Sequence, residues 1–522
     1  MAVHDIGQFD LNNSNGAPLR VRLLNYFERP TDISVAAAMS CYSSKLIAPQ
    51  DLKKERSELE RRAKIAERTF RAGHNTTRQH AHFQFALEGV SRFFIWSFLH
   101  DHPFYNSDQV SQRYVHAKPE NIFIPALSPN GRKKFLMLAE RAFDAYEYLT
   151  KLLFQSAENA YYGRFPSRKK RGNFEKEILK KAQEVSRYLL PICSTAHLHH
   201  TISALTLHRY RKMAETSECM EEAERVIRAM CEEVERIEPD FFRCDTEPFT
   251  AESSIETSSV SGKDSEWVRS FDEKLNGRIS LLEGIYGGED ILCEAVRNAL
   301  GATKEELSDE IALSFALDPQ FNPLLADSLN PTYHSNLSRA LSFIRLTFVK
   351  KLSISADSQN QRHRMILRVR PPLAKTFDSD KPDFVIPQLI AESKAAEDYY
   401  ETYMNELWDG MRELLNDGEA LLAVLYLLPN AFPIRLRESG DLLSFRHKWA
   451  MRLCLNAQEE IWQAAKEEVL AVRKELPKIG KYISPPCSLR LLRGLTPACP
   501  EGKGYCGVPV WKKNLFELNR VI

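Results

Sequence analysis

Net charge of either sign is almost absent from this chain: 71 Lys and Arg stand against 70 Asp and Glu, a formal +1 over 522 residues. No whole-protein field therefore draws nucleic acid or an anionic membrane, and an anionic ligand has to meet local arginines. Long apolar runs are missing as well. None approaches the ~18–20 residues of a spanning helix, and the opening MAVHDIGQFDLNN lacks the charged-then-apolar layout of a signal peptide, so a cytoplasmic protein is expected. Glycine (21) and proline (26) are too few for collagen-like or wholly disordered chains, and the length allows several domains with real cores. The ten cysteines form no CxxC pair. Cys41, Cys193, Cys219, Cys231, Cys244, Cys293 and Cys454 stand singly in apolar or helical contexts, as reduced structural thiols do. Cys487, Cys499 and Cys506 follow one another by 12 and 7 residues, which fits no common zinc finger, so no metal is expected.

What is present is a weak internal repeat. Arg20-x-x-Leu23-Leu24…Asp32-Ile33 recurs as Arg278-x-x-Leu281-Leu282…Asp290-Ile291, 258 residues on. Ser91-Arg92 recurs as Ser338-Arg339, Gln112-Arg113 as Gln361-Arg362, and Tyr188-Leu-Leu-Pro191 as Tyr426-Leu-Leu-Pro429. Glu222/Glu460 and Pro239/Pro477 keep the last offset, 238. The offset falls by 11 in the middle, which places an insertion in the first half at GRFPSRKKRGN (163–173), read as a loop kept soluble by charge rather than as an RNA contact. The Ser/Thr-rich TEPFTAESSIETSSVSGKDSE (246–266) reads as a linker. The expected layout is 1–242, a first domain; 243–274, the linker; 275–480, a second domain; and 481–522, a Pro/Gly/Cys-containing tail. Helical periodicity marks 51–72, 132–162, 174–190, 196–212, 217–237, 390–428 and 442–474, and alternation marks strands at 82–89, 121–127, 364–370 and 383–389. The fold class expected is α+β, two tandem domains, each a β-sheet packed with predominantly helical segments.

The chemistry-bearing residues of the first half run Gly73-His74-x-Thr76-x-x-x-His80-x-x-Phe83-x-Phe85…Gly89-Val90-Ser91-Arg92, then His100-Asp101-His102, then Ser111-Gln112-Arg113-Tyr114. Here the chain resembles the flavin-dependent thymidylate synthases, whose pattern is a G-H-x-[ST]…E-H-x-x-F-x-F…G-V-S-R lead-in, an Arg-His-Arg triplet and an S-x-R-Y close. The resemblance extends in diluted form over both halves. It departs where His100-Asp101-His102 replaces the triplet, where Gln79 replaces the lead-in Glu, and where the second half has Lys350-Lys351-Leu352 and Asn360-Gln361-Arg362-His363 in the corresponding slots.

The resemblance implies conversion of dUMP to dTMP with methylenetetrahydrofolate as carbon donor, FAD as hydride carrier and NADPH as reductant, by a homodimer of two-domain chains. It implies that Arg452 ionises the substrate, that Ser111, Gln112, Arg113, Arg187, Gln361, Arg362 and Arg452 bind dUMP, and that His74, Thr76, His100, His102, His447 and Asn456 bind FAD. The losses are reciprocal. The slot of Arg452 holds Ala214 in the first half, and the slot of Arg187 holds Leu425 in the second. Sites joining Arg187 to Arg452, half as many as there are domains, are therefore expected. Guanidinium forks with a hydroxyl suit a phosphate, and a fixed arginine at a pyrimidine edge stabilises the negative charge that methylation builds there. The competing reading is a degenerate member that keeps the fold and nucleotide binding without flavin chemistry. The histidines His197, His199, His200 and His208 are expected on a helix surface, because their spacing does not present three ligands to one face.

Overall fold

The computed structural model describes residues 9–11, 18–52, 55–165, 168–169, 172–243 and 265–520. The linker expectation falls mainly on 246–264, which lies outside the described residues. The chain is α+β and forms two compact units. The first comprises Met1–Phe143, Leu190–Val260 and Gly410–Leu428; the second comprises Asp144–Leu189, Ser261–Asp409 and Pro429–Ile522. Each unit thus takes its sheet from one half of the sequence and a helical segment from the other.

In the first unit five antiparallel strands lie in the order β1-β2-β3-β5-β4: β1 Phe9–Leu11, β2 Leu19–Tyr26, β3 His82–Ser91, β4 Asn106–Gln109 and β5 Thr195–Ser203. Alternation sorts their faces. Leu19, Val21 and Leu23 of β2 are buried together with Phe83, Phe85 and Leu87 of β3. The helix Met220–Ile237 packs on β2 and β3, and its Glu233 accepts the Leu23 amide at 2.9 Å. Register shifts between Leu87 and Val90, around Gly89 at φ +72°, where a Cβ would stand 2.4 Å from the Pro18 carbonyl oxygen. Glycine is required there twice over.

In the second unit the order is β6-β7-β9-β8: β6 Ser280–Tyr286, β7 Arg345–Ser353, β8 Leu367–Val369 and β9 Pro433–Asp441. β7 and β9 pair without a break from Arg345–Asp441 to Ser353–Pro433. Ser353 caps the helix Ile354–Asn360 as Ser91 caps the turn after β3. The structural counterpart of Ser91 is therefore Ser353, and the match to Ser338-Arg339 is wrong, since those residues sit in the short helix Asn336–Arg339.

Other elements differ from the sequence reading. The span 196–212 is not one helix: β5 occupies 195–203 and a helix follows at Ala204–Met213. Burial there alternates with period 2, and pairing with β3 outweighs local propensity. The span 121–127 makes only an isolated bridge, Ile122 to Ser194. The span 383–389 stays outside the sheet, since Pro382 and Pro387 lack ladder donors. The run 390–428 divides into Lys394–Asn416 and a turn at Leu421–Val424, and 442–474 divides into Leu442–Arg452 and Glu459–Glu475.

Candidate functional site

Two glutamates missed as site residues anchor the ends of the long central strands. In the first unit Glu222 accepts from the Ser91 amide at 2.6 Å, the Ser91 hydroxyl at 2.5 Å and the Tyr426 hydroxyl at 3.0 Å. In the second, Glu460 accepts from the Ser353 amide at 2.6 Å, the Ser353 hydroxyl at 2.5 Å and the Tyr188 hydroxyl. The tyrosines belong to the repeated Tyr-Leu-Leu-Pro segments, and each serves the unit whose sheet comes from the other half of the sequence. The constant 238 offset was the available signal, and it read only as a marker of the repeat. Burial lifts the Glu222 carboxyl to about 7, against hydrogen bonds from Ser91 and Tyr426 that lower it, and burial likewise raises Glu460.

Within the second unit the fold gathers several expected site residues. Arg452 closes the helix Leu442–Arg452, whose start is capped by Asp441. Its Nε donates to His363 Nε2 at 2.9 Å and its Nη2 to the Gln359 carbonyl at 2.6 Å. Gln361 and Arg362 precede His363 in the same turn, Gln361 buried and Arg362 exposed. The His447 ring lies 5.9 Å from that of His363. Burial, then the charge of Arg452, holds His363 well below the usual histidine range, so its Nε2 is an unprotonated acceptor that fixes the guanidinium. Arg187 belongs to this unit too; it is buried, donates from Nε to the Glu184 carbonyl at 3.1 Å, and lies within electrostatic reach of Glu460. Its Leu-Leu-Pro segment is held by Asn430, which donates to the Arg187 carbonyl at 3.0 Å.

Within the first unit a cavity of about 900 Å³ opens on the sheet face between β2, β3, β5 and the loop after β4. Ser111 and Gln112 line it beside Arg22, Arg92, His197 and His199. Arg22 pairs with Glu88 at 2.7 Å, and Arg92 donates to the Val110 carbonyl at 3.0 Å, which holds the loop against the sheet. Ser111 Oγ accepts the Arg113 amide at 3.2 Å, and the Arg113 guanidinium lies over the Tyr114 ring at 5.5 Å. His197 and His199 project outward from β5, whereas His200 and His208 are buried, so the expectation of a helix-surface cluster is corrected: the four occupy alternate faces of a strand and a following helix.

The six residues assigned to FAD fall in three places. His74 and Thr76 are exposed at the turn Asn75–Gln79. His100 stacks on Tyr105 at 4.6 Å and 8°, and His102 Nε2 meets the Tyr210 hydroxyl at 2.8 Å, in an aromatic cluster completed by His200, whose Nε2 is 3.0 Å from the same hydroxyl. In the second unit His447 lies by His363, and Asn456 donates to the Gly504 carbonyl at 2.7 Å. In neither unit do they form a cradle for a flavin. With Ser353 as the counterpart of Ser91, the triplet slot of the second unit falls on Arg362-His363-Arg364, an intact Arg-His-Arg, and the expected Lys350-Lys351-Leu352 is corrected: Lys350 lies in β7, buried with Glu438, Lys448 and Glu468.

The insertion 163–173 also differs from a purely solvated loop. Arg168 donates to the Tyr161 hydroxyl at 2.6 Å and to the Tyr505 carbonyl at 3.3 Å, and its guanidinium lies over Phe165 at 4.4 Å. No described helix is long and apolar enough to cross a membrane.

The sequence profile of the thymidylate synthase complementing protein family matches residues 22–240 and 287–478. The chain is 28% identical over 228 residues to the flavin-dependent thymidylate synthase of Clostridium tetani, covering 43% of this chain and 86% of the relative. It is 28% identical over 192 residues to that of Geobacter sulfurreducens, covering 36% and 78%, and 25% identical over 173 residues to that of Sulfurisphaera tokodaii, covering 33% and 65%.

Proposed function

Because the chain belongs to the thymidylate synthase complementing protein family through both of its halves, we propose that it binds dUMP and converts it to dTMP with methylenetetrahydrofolate, FAD and NADPH, the flavin-dependent activity that the names of its relatives carry. The observation that supports this reading is Arg452, held by an imidazole acceptor and a backbone carbonyl in one orientation. A guanidinium so fixed can meet the polar edge of a pyrimidine ring with little entropic cost. Arg187, from the first half of the sequence, belongs to the same compact unit, which supports a composite site drawing on both halves. Arg362 or Arg113, the latter with the Ser111 hydroxyl, is suited to the phosphate. The protein acts as a cytoplasmic homodimer with two such sites. The intact Arg362-His363-Arg364 supports flavin chemistry in the second unit, whereas His100 and His102 of the first are engaged in packing.

A second reading is a degenerate member that keeps the fold and nucleotide binding without flavin chemistry. It is favoured by the packing of His100 and His102 in the first unit. Three measurements separate the two. Titration calorimetry should detect dUMP, the purified chain should be yellow, and it should rescue a thymidine auxotroph. A colourless protein that binds dUMP and fails to rescue growth establishes the second reading, and absence of dUMP binding overturns the first.

A further inference from the structure

The first unit holds a further cavity, of about 920 Å³, between the start of the helix Pro30–Ser40, the helix Arg56–Arg71, the turn Asn75–Gln79 and the end of the helix Met220–Ile237. Its volume is that of a small-molecule site. Arg62 and Arg78 line it, only 6% and 5% exposed. Arg78 is a buried cation without a counter-charge. Its Nη1 donates to His208 Nε2 at 2.5 Å, which makes that imidazole a neutral acceptor, and its guanidinium lies over the Phe70 ring at 4.7 Å. Neither partner is anionic. Among the described residues nothing bonds to its Nε and Nη2, the two donors of one guanidinium edge. Carboxylates do line the cavity, but three of them are engaged elsewhere: Asp32 is shared by Arg29 and Arg62, Glu67 pairs with Arg71 at 2.9 Å, and Glu238 accepts the Thr31 amide at 3.2 Å. Arg62 gives Nη1 to Asp32 at 2.7 Å and leaves its Nε unpartnered. One carboxylate thus answers two guanidiniums, and the third has none.

The internal repeat shows that the fold does not require this cation. Arg78 stands five residues before Phe83 as Leu341 stands five before Leu346, and Phe83 and Leu346 pair with Ile202 and Gly440, which keep the 238 offset. Both positions lie in short turns, Asn75–Gln79 and Ala340–Phe343, and Leu341 is fully buried. An apolar side chain therefore fills, in the second unit, the place where the first keeps a charge. A buried charge is costly unless it is paired, and an anion entering the cavity would pair it.

We propose that this cavity binds a phosphate monoester of sugar-phosphate or nucleotide size, with its phosphate on Arg78 and Arg62. The open edge of Arg78 takes two oxygens in parallel, and Arg62 Nε suits a third, which a tetrahedral phosphate has and a carboxylate lacks. Five basic and five acidic side chains line the cavity in all. That balance accepts one phosphate and opposes a polyphosphate, while the acidic groups are acceptors for hydroxyl or amino donors on the body of the ligand. The site belongs to the first unit, whereas Arg187 and Arg452 belong to the second, so it does not rest on the dUMP reading.

The test uses the full chain and ribose 5-phosphate, which has the phosphate and the hydroxyls but no pyrimidine edge for Arg452. Titration calorimetry should show it bound by the wild type, and Arg78→Leu, which copies the second unit, should weaken it by roughly 10–150-fold, the range for a lost charge-assisted bond, while circular dichroism is retained. Ribose, which lacks the phosphate, and glutarate, which offers carboxylates instead, should bind more weakly than ribose 5-phosphate. No binding of ribose 5-phosphate, equal affinity in wild type and Arg78→Leu, or tighter binding of glutarate overturns the proposal. Ribose 5-phosphate bound through Arg78 by a chain that does not bind dUMP would remove the proposed function and leave this site standing. Should Arg78→Leu fail to fold, hydrogen exchange of the wild type decides: ribose 5-phosphate should slow the amides of 59–67 and 74–80, and unchanged exchange there overturns the assignment.

Discussion

At four equivalent positions the second unit buries Lys350, Glu438, Lys448 and Glu468, where the first buries Leu87, His200, Tyr210 and Met230. The last three of each set are 238 residues apart, and Lys350 and Leu87 both pair with the equivalent leucines Leu436 and Leu198. In the second unit the charges sum to zero. Lys350 lies 3.0 Å from Glu438 and 2.6 Å from Glu468, Lys448 contacts Glu438 and lies 3.2 Å from Glu468, and Trp449 donates to Glu468 at 2.7 Å. Burial works against the Glu438 charge, yet the two lysines hold its carboxyl at about 2. In the first unit the same positions hold Leu87, Met230 and two rings, with the Tyr210 hydroxyl between His102 and His200. One fold therefore tolerates two ways of avoiding a bare buried charge, and they differ in what a single substitution does.

The largest effect is expected from Lys448→Met. It leaves two buried carboxylates against one ammonium, and breaking such a network costs about 3–5 kcal/mol. Its counterpart Tyr210→Phe removes one hydroxyl from two imidazoles and should cost about 1–2 kcal/mol. Urea unfolding of the two variants checks the contrast. Equal losses would mean that the quartet is no more demanding than the ring cluster.

The next concerns Glu222. Its folded carboxyl titrates near 7 against an ordinary 4.5. A raised carboxyl binds its proton more tightly in the folded state, so its contribution is present below about pH 4.5 and is lost as the pH climbs through 7. The shift corresponds to roughly 3 kcal/mol. Glu222→Gln, which stays neutral, should flatten the stability profile of the first unit between pH 5 and 8. An unchanged slope would place the titration elsewhere.

Much of this contrast was legible only in part. The lead-in motif and the 238 offset carried the family, the tandem α+β fold and the pairing of Glu222 with Glu460. Strand β5 was read as helix because its histidines and leucines also satisfy a 3.6 period, and only pairing with β3 decides between them. The engagement of His102 depends on Tyr210, which stands more than 100 residues away. The contact of the segment after Arg452 with the tail, likewise, is made by a bond from Asn456 to Gly504. Contacts of this sequence separation leave no local periodicity to read.

A smaller effect is expected at the position that separates the units most plainly, Arg452 against Ala214. Arg452→Ala makes the two alike and should weaken dUMP by about 1.5–3 kcal/mol, the range for a charge-assisted bond. Calorimetry reads this as a rise of roughly 10–150-fold in Kd. Ala214, its counterpart in the first unit, is buried and carries no guanidinium. Unchanged affinity would move the site away from Arg452.

The smallest change in stability should follow the largest change in sequence. Replacing the quartet by its counterparts, Lys350→Leu, Glu438→His, Lys448→Tyr and Glu468→Met together, removes four desolvated charges at once. Exchanging a buried ionic network for neutral residues of similar volume is often neutral or stabilising by about 1–4 kcal/mol. Against that gain stand the Trp449 indole and the Asn360 amide, which donate to Glu468 and Glu438 at 2.7 and 2.8 Å and would lose their acceptors, at about 1–3 kcal/mol for each group left unpaired. The two contributions nearly cancel. The quadruple variant should therefore unfold close to the parent although Lys448→Met alone does not, and adding Trp449→Phe should recover part of what the indole loses. If the quadruple variant is as unstable as the single one, the charges hold the second unit in a way that neutral packing in the same fold cannot reproduce.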